Sequence, residues 1–438
     1  MGQLTSFLQL FMSPIGMAFV AMCGALYLYG MQAKLGRWLI LGALIFAASL
    51  SRFVNEWVTN PPPFSGPIDT LVGAGRPLTF LLLLLSLTMV ANKSRGGRIP
   101  AAMVGLVCCH LVIGLKTFMQ GSIDFALLVI TIEFLILGLF WRISSSWLTN
   151  ETAIEYAILA IFFAAFLFVV VNLVQFSITS SPQFVANGQF NGTTGNPQHA
   201  AALMGCAIPA SLYVLLGYAQ KSFRLLALVT LVLVMYFLSL TGSRTGLMLA
   251  ALSVLLIARR QGGLAILVTS GLAVLGSVFF LTNDFALEKF LDFQDTRSEV
   301  WAAMWRQFLS NPILGSQLVT DRLGFGENSW LAMGAATGLV GLIPLGVFGL
   351  LSLSMSLKLI TKRSRTRKIK LQCDVLGATI LCLLAGSIFE AYLLSPLSAP
   401  CLIACVAVVA GNALLVSRTK QKKPLHHSRQ SRFVRRAI

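Results

Sequence analysis

Long apolar runs, broken at short intervals by charges, proline and glycine, make up most of the chain. They fall near 8 to 30, 38 to 53, 74 to 92, 100 to 119, 123 to 141, 153 to 175, 200 to 218, 223 to 241, 245 to 258, 263 to 282, 330 to 356, 373 to 394 and 397 to 416. A bilayer core is crossed by about 20 residues of helix, and every backbone polar group must be satisfied within the segment. The runs therefore predict roughly thirteen helical spans. The first has no basic segment ahead of it, and its 23 residues are long for an export signal, so it reads as a retained helix.

Composition agrees: of 438 residues, 56% are hydrophobic and 11% charged, and mean hydropathy is +0.81. No soluble fold hides that much apolar surface. The charge that remains is basic, with a formal net of +18, and its distribution sets orientation. Lys34 and Arg37, then Lys93, Arg95 and Arg98, Arg142, Lys221 and Arg224, Arg259 and Arg260, and the run from Lys362 to Lys370 occupy alternate loops, which the positive-inside rule places in the cytoplasm. The tail 417–438 adds eight Lys or Arg and no acid, an anchor at anionic lipid and not a nucleic-acid site.

On the external side this topology leaves three longer pieces, 54 to 73, 176 to 199 and 283 to 329. In the last, Val300, Trp301, Met304, Trp305 and Phe308 recur with helical spacing and predict an amphipathic helix lying flat on the membrane. The eight cysteines all lie inside apolar runs and read as small core hydrophobes, with no metal site.

Basic residues should avoid the external side, yet Arg52, Arg76, Lys116, Arg244, Arg297, Arg306 and Arg322 fall there. An interfacial arginine implies a partner, and guanidinium matches phosphate in bidentate geometry, so an anionic headgroup fits. The plainer reading pairs Arg52 with Glu56 and lets Arg306 and Arg322 snorkel to water.

Four local patterns share that face. They are Gly195-Asn-Pro-Gln-His199; Thr241-Gly-Ser-Arg-Thr-Gly-Leu247; Arg297-Ser-Glu-Val-Trp301 followed by Asn311-Pro-Ile-Leu-Gly315; and Glu327-Asn-Ser-Trp-Leu331 followed by Gly338-Leu-Val-Gly341. Their order and placement over residues 190–345 resemble the O-antigen ligase and polysaccharide polymerase family of bacterial envelopes, the Wzy and WaaL type. The N-terminal half resembles it in hydropathy alone.

The resemblance implies an all-α, polytopic, GT-C-like membrane fold of about 12 to 13 transmembrane helices, spanning residues 1–416 of this chain. It places 283–329 as one large periplasmic loop holding the amphipathic helix, and the tail in the cytoplasm of a bacterial inner membrane. It implies inverting transfer of a glycan from an undecaprenyl-diphosphate carrier to an acceptor hydroxyl, on a growing glycan or on lipid A core, with no cofactor or metal. By that analogy Arg244 and Arg297 are catalytic and bind the diphosphate, with Arg306 and Arg76 behind them. Arginines there would stabilise charge developing on the leaving group.

The family commonly carries His-Asn where this chain has Glu327-Asn328, so Glu327 and His199 compete as the base that takes the acceptor's proton. Their plainer readings are a cap or an Arg322 pair for Glu327, and an N-cap for His199. Asp292 and Asp295, with Glu288, read as a solvated acidic face, with metal-held diphosphate as the other reading. Asp124, Glu133, Asp374 and Glu390 lie in or near spans with no evident partner, and His110 reads as an internally hydrogen-bonded polar residue. The opposing class is a transporter or flippase, which would line a path through the bilayer with charge. A third is a non-catalytic envelope partner.

Overall fold

The computed structural model describes residues 12–51, 64, 66–89, 98–148, 150–179, 189–261, 271, 297–316, 327–362 and 366–421. Its helices are α1 (Pro14–Gln32), α2 (Lys34–Ser49), α3 (Gly66–Gly73), α4 (Gly75–Thr88), α5 (Ala101–Met119), α6 (Ile123–Arg142), α7 (Glu151–Thr179), α8 (Pro197–Gly217), α9 (Lys221–Leu240), α10 (Arg244–Gln261), α11 (Arg297–Ser310), α12 (Ser329–Thr361), α13 (Arg367–Ser387) and α14 (Ala399–Gln421). A π turn, Ile143–Trp147, extends α6, and a 3₁₀ turn, Tyr392–Leu394, precedes α14. No strand forms among the described residues.

Eight of these helices, α5 to α9 and α12 to α14, are long and apolar enough to cross a membrane, and α3 with α4 makes a ninth candidate bent by 59°. This is the architecture of a multi-pass membrane protein. Leu350, Leu225, Phe134 and Ile343 are more than half exposed on it, which suits lipid as solvent and not water. Of the roughly thirteen spans expected, three others appear among the described residues as α1 (Pro14–Gln32), α2, with 16 residues, and α10, which includes Arg259 and Arg260 in its last turn. The run 263 to 282 lies outside the described residues apart from 271.

Two boundaries moved for physical reasons. Residues 66–73, expected as loop, are helical because Ile68, Leu71 and Val72 bury. The break before α4 falls at a glycine, since a Cβ on Gly75 would lie 2.5 Å from the Leu50 carbonyl oxygen. The span expected to reach 394 stops at Ser387, because Arg297 and Ser329 bind the Phe389 and Glu390 carbonyls.

Contacts between helix termini define two ends of the bundle. At the basic end Lys368 pairs with Glu155 at 2.5 Å, Gln372 donates to the Glu151 carbonyl at 3.1 Å, and Lys362 to that of Leu414 at 3.1 Å. The far end gathers the starts of α4, α8, α10, α11 and α12 with the end of α13. Inside the bundle His110 Nδ1 sits 2.7 Å from Glu133, and its Nε2 2.7 Å from the Leu393 carbonyl oxygen, all buried. This gives Glu133 the partner the sequence did not reveal. Seven of the eight free cysteines are buried and Cys108 is exposed.

Candidate functional site at the far end of the bundle

Two corners make up the far end. The first joins the starts of α8 and α10. The segment before α8 is pinned by Phe190 N–H donating to the Leu240 carbonyl at 3.0 Å and by Gln189 Nε2 donating to that of Thr241 at 2.9 Å. Phe190 also stacks on Phe237 at 4.7 Å. Asn196 caps α8 by accepting from Gln198 N–H at 2.8 Å, with Pro197 next, a strong start signal. This corrects the N-cap reading of His199: Asn196 takes that role, and His199 is an accessible side chain set among protein atoms in the first turn.

Ser243 does the same for α10, accepting from Gly246 N–H at 3.1 Å, while its hydroxyl donates to Gln198 Oε1 at 2.6 Å. That single bond sets the two helix starts side by side, with His199 and an exposed Arg244 next to it. Helix N-termini carry partial positive charge, so the corner favours an anion.

The second corner joins α11, α12 and the end of α13. Asn311-Pro-Ile-Leu-Gly315 and Gly338-Leu-Val-Gly341, separate motifs in sequence, interlock. Leu339 N–H donates to the Pro312 carbonyl at 2.8 Å and Ser316 N–H to that of Ala335 at 2.9 Å. Gly338 (φ 62°) kinks α12, and a Cβ there would lie 2.4 Å from the Ile313 carbonyl oxygen. Lys116 donates to the Leu314 carbonyl at 2.6 Å and to that of Gly315 at 3.1 Å. One of the cations expected on the external side is therefore a structural tether.

The expected apolar face of α11 divides. Trp301, Met304 and Phe308 are half-buried, with Phe308 beside Gly334 of α12, whereas Val300 and Trp305 are exposed. The helix docks on the bundle by one stripe and keeps another for its surroundings.

Arg297, at the start of α11, is the hub. Its Nε lies 3.2 Å from Glu327 Oε2, its Nη2 donates to Glu390 Oε1 at 3.0 Å, and its Nη1 donates to the Phe389 carbonyl at 3.1 Å. The guanidinium also stands 5.9 Å from the Phe389 ring centroid. Around it, Asn328 (φ 78°) caps α12 by accepting from Trp330 and Leu331 N–H, a left-handed conformation asparagine tolerates. Ser329 Oγ donates to the Glu390 carbonyl at 2.7 Å, and Trp330 Nε1 to Ser387 Oγ at 3.0 Å. Burial, with a smaller push from the Glu327 charge, raises the Glu390 carboxyl to about 7 against the opposing pull of Arg297.

The structure thus brings Glu327 onto Arg297 and joins the helix starts that carry His199 and Arg244 through their neighbours Gln198 and Ser243. Arg76, in the first turn of α4, and Arg306, on α11, are exposed and contact neither pair. Arg52, Glu56, Arg322, Glu288, Asp292 and Asp295 lie outside the described residues, so the expected Arg52–Glu56 and Glu327–Arg322 pairs and the acidic face do too. Sequence reasoning found Glu390 only as an acid near a span. Its partner stands 93 positions away, a separation no local pattern encodes. Among the described residues no three His, Cys, Asp or Glu gather as metal ligands. The chain matches no family model and no curated protein.

Proposed function

We propose that this protein transfers a glycan from an undecaprenyl-diphosphate carrier to an acceptor hydroxyl at the external face of a bacterial inner membrane, as a polysaccharide polymerase or O-antigen ligase. The observation that carries the reading is the meeting, at one end of an apolar bundle, of an anion-favouring corner with Arg244 and a corner where a carboxylate, Glu327, is held by an arginine.

In the proposed step the acceptor oxygen attacks the anomeric carbon from the face opposite the carrier. The bond from that carbon to the carrier's phosphate oxygen breaks, and the electron pair leaves with the diphosphate. Arg244 and the two helix starts stabilise that charge, with Arg306 and Arg76 available to the rest of the headgroup. The acceptor proton passes to Glu327, with His199 as the competing base. Donor, acceptor and surrounding lipid are the partners, and no cofactor enters the step.

Loss of the gene in its host tests the reading and divides its two forms. Single repeat units accumulating on the carrier indicate a polymerase, and full-length carrier-linked polymer with unsubstituted lipid A core indicates a ligase. A strain with unchanged carrier-linked glycans and surface polymer would sink both.

A further inference from the structure

Arg297 is tied at all three nitrogens, by the Glu327 carboxylate at Nε, the Glu390 carboxylate at Nη2 and the Phe389 carbonyl at Nη1. A guanidinium so neutralised is poorly placed to receive a diphosphate, because two anions would first have to leave. Glu390 is 10% exposed and Glu327 36%. Glu327 Oε2 is buried against Arg297 without an aligned hydrogen bond, so its accessible part is the remainder of the group. Glu390 is fixed further by Ser329 Oγ on its carbonyl, just past the end of α13.

We infer, building on the transfer reading above, that Glu390 is a positioning residue: it clamps Nη2 of Arg297 so that the neighbouring Nε orients the Glu327 carboxylate toward the acceptor. Arg297 then serves the base and not the carrier's diphosphate, which is left to Arg244. The order of contacts is base, orienter, anchor, and such triads fix geometry through the outer members.

The groups facing Glu390 are Arg297 of α11, Glu327 ahead of α12, and Tyr392 of the 3₁₀ turn. With the carboxyl near 7, Glu390 is neutral on the acid side of neutrality and charged above it. The acid limb of the wild-type rate profile should therefore fall near neutrality.

Steady-state transfer with the full-length protein in liposomes, carrier-linked glycan as donor, tests this. Misplacing a catalytic group by about 1 Å costs on the order of 100-fold, so Glu390→Ala should lose roughly that in kcat at unchanged donor KM. Glu390→Gln, which can still accept from Nη2, should recover to within about tenfold, with its acid limb moved to lower pH. Arg297→Ala should likewise lower kcat without raising donor KM, whereas Arg244→Ala should abolish transfer. A raised donor KM in Arg297→Ala, a Glu390→Ala rate near wild type, or an unmoved acid limb in Glu390→Gln would overturn the inference. Wild-type transfer abolished by Arg244→Ala in the same assay would leave the transfer reading standing in each of those cases, and no wild-type transfer would sink that reading itself.

Discussion

At the residue scale, the site turns on which side chain takes a proton and which meets a phosphate. Removing a general base typically costs about 10² to 10⁴ in rate, so weak transfer should survive in Glu327→Gln. Glu327→His should retain measurable activity, because imidazole can accept the proton from the same place, and His199→Ala should be milder than Glu327→Gln. Rates of reconstituted protein decide this, and a Glu327→Gln rate near wild type with a dead His199→Ala would move the role to His199. Arg244→Lys should rescue Arg244→Ala poorly, since an ammonium lacks the bidentate fork. Full rescue would reduce Arg244 to a point charge.

The individual arginines stood out because the expected topology puts them against the positive-inside rule, whereas the caps Asn196 and Ser243 emerged only in the structure, where the sequence reading had offered His199. What each arginine meets was not legible. Lys116 was singled out on the same expectation and holds two backbone carbonyls, and Glu390 read as an isolated acid.

At the element scale, the fold depends on two close fits that differ in how visible they are. The interlock of 311–316 with the α12 kink shows in sequence only as short Gly-containing motifs, yet it fastens the end of α11 to α12. Gly338→Ala would force a side chain into a positive-φ position and onto the Ile313 carbonyl oxygen. Left-handed strain alone costs about 1 to 2 kcal/mol. Lower thermal stability in detergent is therefore expected, together with reduced transfer, and an unchanged melting temperature would show that the kink does not depend on glycine.

The buried His110–Glu133 pair ties α5 to α6 and reaches the 3₁₀ turn. Glu133→Leu would leave the His110 nitrogen without a partner, a cost of about 1 to 3 kcal/mol. Glu133→Gln keeps an acceptor in place and should melt closer to wild type. Equal melting of the two variants would contradict a role for this hydrogen bond. Apolar runs showed most of the helices but not α3, and they did not show which buried polar groups, such as His110 and Glu133, would pair between helices.

At the scale of the whole molecule, hydropathy placed most of the described helices near their observed positions, and eight or nine of these are long and apolar enough to cross a membrane. Short helices such as α2 and bent ones such as α3 with α4 differ from full spans by length and geometry, which an apolar run does not record. Orientation rests on charge alternation. A reporter after Lys423 should lie in the cytoplasm and one near Asn283 outside it, and both on one side would remove the external face from the transfer reading.

The most direct test of that reading follows bond cleavage. Purified protein in liposomes, given undecaprenyl-diphosphate-linked glycan and acceptor, should release undecaprenyl diphosphate in step with acceptor extension. That release should fall about 10² to 10⁴-fold in Glu327→Gln and vanish in Arg244→Ala. Movement of intact carrier-linked glycan between leaflets with no carrier diphosphate released would contradict it and identify a flippase instead.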